Sequence, residues 1–245
     1  MLIEIVSGER FLKSSRWSPG YFRLEKKSKM SNLAVLGDLC SERKETLDPQ
    51  QYKNILFNYI GLENIEGHSA ELVSFSPQYG INIKSRSKIF YLNDVLYGRL
   101  RPNLNKAYHV DKILKEGICT TEIIVLVPNK NKIVPEYLRE ILLSKIITEK
   151  VSSLIAGAAL PRLHSKDLLS LRIPFVSLEK QKEISLWISR QRSKYTYHKM
   201  MCAKLPAWIS ENFAGTVSDQ KYNLPCQFEH KPKSLMYDNK LPVHS

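Results

Sequence analysis

The chain is predicted to be an α+β protein: one globular head followed by a long helical, coiled-coil-like stalk. Three observations predict it. Short β-branched or aromatic runs bounded by turn residues recur through the first half. Residues 134–153 then carry apolar side chains at helical spacing. Finally, Ile173-Pro174 leads into a polar-fronted helical stretch that opens at Ser177. Apolar residues make up 43% of the 245, enough for a real core, so disorder is excluded as the general state.

Taken in order, the strand candidates are residues 54–60, 88–91, 95–100 and 122–128. Pro135 suits the first turn of the helix predicted over 134–153, where its missing N–H costs nothing. Pro174 fixes its own φ and biases Ile173 toward an extended conformation. Ser177 suits an N-cap, and Glu179 in the first turn complements the positive helix end. A helix from Ser177 to Lys204 would be about 40 Å long at the α-helical rise, and Leu205-Pro206 is expected to kink or restart it. Along its heptad seam Ile184, Ile188, Cys202 and Leu205 are apolar, Tyr195 is amphipathic, and Gln181, Gln191 and His198 are polar. That pattern fits a short coiled coil with polar register markers, or an amphipathic helix folded onto the head.

Charge narrows the partners. With 37 basic against 24 acidic residues the net charge is +13. Such an excess points to a polyanion, nucleic acid first, or else to solubility through charge. No apolar run is long enough to cross a bilayer and no signal-peptide pattern opens the chain, which fits a cytoplasmic protein. Cys40, Cys119, Cys202 and Cys226 are far apart without paired ligand spacing, so neither zinc nor a disulfide framework is expected.

Candidate DNA contacts are basic and amide side chains near turns, because Arg and Lys grip phosphates or guanine and Asn reads adenine. Lys84, Arg86 and Lys88 lie in a basic, hydroxyl-rich segment read either as a phosphate grip or as a solvated turn. Arg99, Arg101, Asn103, Asn105 and Lys106 follow a strand, with Pro102 holding the turn. Arg162, His164 and Lys166 alternate, which would place them on one side of an extended chain. Base readers are sought among Tyr52, Asn54, Asn58 and residues 63–79. Asp94 and Glu122 raise the alternative of a metal-dependent nuclease, but no lysine stands two places after Glu122. Asp94 is read as a turn residue before its strand. Nucleophile elbows, phosphate loops and cofactor fingerprints are absent from the sequence, and no metal is expected.

The order of several motifs carries a resemblance. Gly157, Pro161, Leu163, Leu168, Leu171, Ile173, Pro174, Leu178, Gln181 and Ile184 follow a G…P-x-L…L…L-x-I-P…L-x-x-Q-x-x-I pattern. Upstream stand YIGLENI from Tyr59, NDVLYGRLRP from Asn93, CTTE from Cys119 and PEYL from Pro135; downstream stand Leu205-Pro206-Ala207 and Phe213-Ala214-Gly215. Together they resemble the target recognition domain and helical region of specificity subunits of type I restriction-modification systems. The resemblance implies an N-terminal extension at 1–30, a recognition domain at 31–176, a helical spacer and dimerisation region at 177–215 and a tail at 216–245. The extension's Arg16 to Phe22 resembles a short element that precedes the domain in some relatives.

Such a protein is implied to be a non-catalytic, sequence-specific DNA-binding component without a cofactor of its own. It would recognise one half of a bipartite double-stranded site and dock modification methyltransferase subunits, joined by a restriction motor subunit. S-adenosylmethionine, ATP and magnesium would belong to those partners. Family members usually hold two recognition domains, so one of each element implies a half-subunit that pairs with itself or with another half, through Ile184, Ile188, Tyr195, Cys202 and Leu205; a truncated remnant is the alternative. A stand-alone DNA-binding regulator or decoy is the rival function.

Overall fold

A computed structural model describes residues 32–155 and 161–213, with residues 195 and 197–213 described by backbone alone. The N-terminal extension, Gly157 and the tail from Ala214 lie outside the described residues. The chain divides into two units between Ser189 and Arg190.

The first unit is organised around β11 (Ile123–Pro128), the strand with the strongest β-former run. It pairs antiparallel with β2 (Cys40–Arg43) on one side and β8 (Val95–Gly98) on the other, and β8 pairs with β9 (Ala107–His109). Alternation along β11 then builds two cores. Ile124 and Leu126, with Val95 and Tyr97 of β8, face a helical layer: α1 (Leu36–Leu39), α2 (Pro135–Leu143), α3 (Lys145–Leu154) and α4 (Ser165–Leu169). Ile123 and Val125, with Leu96, face Phe90, Cys119 and Ile60 of a second sheet. That sheet has the order β3 (Thr46–Leu47), β7 (Ser87–Tyr91), β10 (Glu116–Thr120), β5 (Tyr59–Ile60). A small ribbon, β4 (Leu56–Phe57) with β6 (Gln78–Tyr79), precedes it. β1 (Leu33–Val35) pairs antiparallel with β12 (Arg172–Pro174), so the start of the described chain is stitched to the exit from the head.

Several expected elements change form. The helix expected over 134–153 is two helices, because Ser144 is extended (ψ 149) and its Oγ donates to the Ile141 carbonyl at 2.6 Å. A serine that satisfies the backbone locally competes with helix continuation. The run at 54–60 is split by Asn58, whose carbonyl accepts from the Ile118 amide. Ser177 does cap α5 (Leu178–Phe213): its Oγ accepts from the Lys180 amide at 3.4 Å. α5 continues through Leu205-Pro206 to Phe213.

Gln181 fixes where α5 leaves the head. It is fully buried; its Nε2 donates to the carbonyls of Val176 (2.8 Å) and Lys132 (3.1 Å), and its Oε1 accepts the Val134 amide (2.9 Å), just ahead of α2. The position that looks like a polar seam residue is therefore a lock within the head. Ile184, three residues on, packs partly buried against the helical core. Cys40 and Cys119 are buried free thiols, and burial pushes the Cys40 thiol up to about 12, away from thiolate chemistry. Among the described residues no helix is long and apolar enough to cross a membrane.

Candidate nucleic-acid interface

Strand register brings distant basic residues to one end of the two sheets. Ser87 pairs with Thr120 at the end of β10, and Gly98 pairs with Ile123 at the start of β11. The Arg86 and Arg99 positions therefore flank the same β10–β11 turn, Thr121-Glu122. Residues 161–163 join from the other side: the Arg101 amide donates to the Pro161 carbonyl (3.0 Å) and the Leu163 amide to the Arg99 carbonyl (2.9 Å), with a bridge between Leu100 and Arg162. Three segments far apart in sequence thus share one rim.

Each candidate has a definite place. Arg101 is exposed and sits at φ 48, in the left-handed region, just before the 3-10 turn Pro102–Leu104; Asn105 closes that turn at φ 45. An arginine there costs roughly 1 kcal/mol of backbone strain, and strain of this kind gathers at functional positions. Asn103 is exposed on the turn. Asn105 is buried, with its Nδ2 donating to the Leu143 carbonyl at 2.8 Å. Lys106 Nζ donates to the Leu62 carbonyl at 2.6 Å, so it ties two loops together. Arg99 is half-buried, and its Nε has no hydrogen-bond partner among the described residues. Arg162 is half exposed, and its Nη2 donates to Glu122 Oε1 at 2.8 Å.

Two sequence readings are corrected. The basic loop 84–88 ends at Arg86: Ser87 and Lys88 belong to β7, where Lys88 is buried and its Nζ meets Glu42 Oε1 at 3.1 Å. Lys84 and Arg86 stay exposed, with Arg86 Nη2 donating to Thr46 Oγ1 at 3.2 Å. Nor do Arg162, His164 and Lys166 share one extended segment. The chain turns into α4 at Ser165, so Lys166 is helical and His164 holds the N-cap position; all three are exposed.

The carboxylates that suggested a nuclease are both engaged with arginines. Asp94 is buried and takes Arg43 in a fork, Nε to Oδ2 at 2.9 Å and Nη2 to Oδ1 at 3.2 Å, while its Oδ2 also accepts the Tyr91 amide at 2.9 Å. Arg43 also lies 4.8 Å over the Tyr91 ring. Glu122 faces Arg162. Sequence reasoning missed the Arg43 partnership, and a lone arginine ahead of a turn carries no signal for it.

The fold that carries this rim has known relatives. The family model for the type I restriction modification DNA specificity domain matches residues 2–198. The chain belongs to that family. Among curated proteins, a specificity domain like this one occurs in the HindI specificity subunit of the type I restriction enzyme of Haemophilus influenzae, 28% identical over 153 residues. That match covers 61% of the present chain and 32% of the relative. Among solved structures, the HsdS subunit of Thermoanaerobacter tengcongensis superposes with a TM-score of 0.61 at 24% identity, over 77% of this chain and 51% of that one. A chain from a study of complex assembly in the type I R-M system gives the same TM-score and identity, over 79% and 51%. These structural likenesses carry the mixed α/β fold of the specificity domain. The chain spans about half of the solved chains it resembles and about a third of the curated relative.

Proposed function

We propose that this chain is a non-catalytic specificity component of a type I restriction-modification system that reads one half of a bipartite double-stranded DNA site. The meeting of the segments that carry Arg86, Arg99, Arg101 and Arg162 at the β10–β11 turn is the observation that supports the reading, with Asn103, His164 and Lys166 exposed on the adjoining stretches. Guanidinium groups on a rigid two-sheet frame suit phosphate gripping, which sets register on the duplex while variable loops read bases. The buried Lys88, the looped-in Lys106 and the buried Asn105 act as supports of that frame. Methyltransferase subunits dock on the complex and a restriction motor subunit joins it; their cofactors stay with them.

Pairing through α5, with a second copy or another half, completes the site. Ile184 is partly spent on the head, and the side chains of Tyr195, Cys202 and Leu205 lie outside the described residues. Among the described side chains of α5, the large apolar ones left more than half exposed are Leu186 and Trp187, with Ile188 half-buried beside them. Ile188→Asp is expected to halve the particle mass measured by light scattering; an unchanged mass would remove Ile188 from the pairing face. A twofold pair mirrors its symmetry in the DNA, giving a palindromic site with an unread spacer.

The deciding test compares the methylomes of cells expressing a type I methyltransferase subunit with and without this chain. A new gapped motif is expected, palindromic for a self-pair and asymmetric for a mixed pair. No new motif, with both proteins folded and expressed, would defeat the proposal.

A further inference from the structure

Glu122 occupies the centre of the basic rim. Its backbone carbonyl accepts the Arg99 amide at 2.8 Å, and its Oε1 accepts Arg162 Nη2 at 2.8 Å. Its Oε2 is buried without a hydrogen-bond partner among the described residues, as is Arg99 Nε on the neighbouring segment. Arg162 is half exposed while the glutamate is three-quarters covered. The guanidinium thus spends one edge inward and keeps other N–H donors toward solvent.

We propose that Glu122 is a positioning residue that stands in for a DNA phosphate on the free protein, holding Arg162 in the pose in which its outer donors meet the backbone. The inference rests on the rim being the DNA-facing surface. A carboxylate oxygen accepts a charge-assisted hydrogen bond from a guanidinium as a phosphate oxygen does. Holding the arginine's rotamer before DNA arrives moves that ordering cost from binding to folding. The retained negative charge also opposes any phosphate that approaches off the axis of Arg162, so a duplex sitting out of register binds less well. Glu122 therefore trades raw affinity for alignment.

The test uses the full chain and a mixed-sequence duplex, with affinity measured across a salt series. Glu122→Gln keeps the shape and removes the charge. It is expected to tighten binding about two- to fivefold at low salt and to steepen the log–log salt slope by about 1, as Arg162 becomes free to neutralise a further phosphate. In an Arg162→Ala background the exchange still removes a charge that repels phosphate, so binding is expected to tighten there too, but the slope should stay where it was, since no cation remains for Glu122 to hold. An equal change of slope in both backgrounds, or no change of slope in either, overturns the proposal. Wild-type protein with no salt-dependent binding sinks the DNA reading and this inference together; normal wild-type binding with an inert Gln variant sinks the inference alone. Should Glu122→Gln fail to fold, Glu122→Asp reports instead. It keeps the charge but shortens the reach, so it is expected to weaken binding where Arg162 is present and to leave it unchanged in the Arg162→Ala background.

Discussion

Replacing Asp94 with alanine is expected to lower stability by about 3–5 kcal/mol, because it strands the Arg43 guanidinium between the two sheets. The carboxylate holds Arg43 through two hydrogen bonds and also accepts the Tyr91 amide, so the change leaves three donors without their acceptor. Arg43 keeps only its contacts with Tyr91 and with the exposed Glu45, at 3.5 Å. A loss of that size approaches the whole margin of a typical domain. Urea unfolding of the variant checks it: a free-energy change below about 1 kcal/mol would show that the pair is not structural. Combining Asp94→Leu with Arg43→Met is expected to recover much of the loss, since an apolar pair carries no desolvation cost.

The second large effect is on DNA. Arg101→Ala together with Arg162→Ala is expected to weaken binding to a mixed-sequence duplex on the order of 100-fold, taking about 1.5 kcal/mol for each charge-assisted contact. The salt slope should fall in magnitude by about 1, because Glu122 already offsets the charge of Arg162. A loss shared by all sequences marks phosphate contacts, whereas relaxation at a single base position would mark base reading. Arg101→Gly separates function from folding at this site. It relieves the left-handed backbone at φ 48 and is expected to leave the melting midpoint at or near wild type while still losing affinity. A sharp fall in melting midpoint would mean that Arg101 holds the turn instead.

Much of the head was legible in its residues. β-branched and aromatic runs located β7, β8 and β11, Pro135 located the start of α2, and Ser177 located the cap of α5. What escaped was long-range. β10 begins with Glu116 and Gly117, which look like turn residues; Gly117 is there because a side chain would strike the Asn58 carbonyl just ahead of β5. Lys88 looked like a phosphate grip or part of a solvated turn because nothing local announces Glu42 as its partner. Gln181 looked like a seam residue because its three partners come from segments up to 49 residues away. At the rim, the residue types were legible one segment at a time. Their meeting around Glu122 depends on strand pairing, which local pattern does not specify.

The central strand carries a consequence of its own. Ile123, Ile124, Val125 and Leu126 are apolar on both faces, so sliding β11 by one residue would exchange the occupants of the two cores at little hydrophobic cost. Polarity therefore gives this strand no address. The Arg43–Asp94 pair supplies one, because it joins β2, where Arg43 stands opposite Val125, to the residue just ahead of β8 across the width of β11. A slip by one residue would put Ile124 or Leu126 opposite Arg43, a larger side chain than Val125 in that row. The ion pair works as a caliper across the strand, closed in the alignment that β11 adopts.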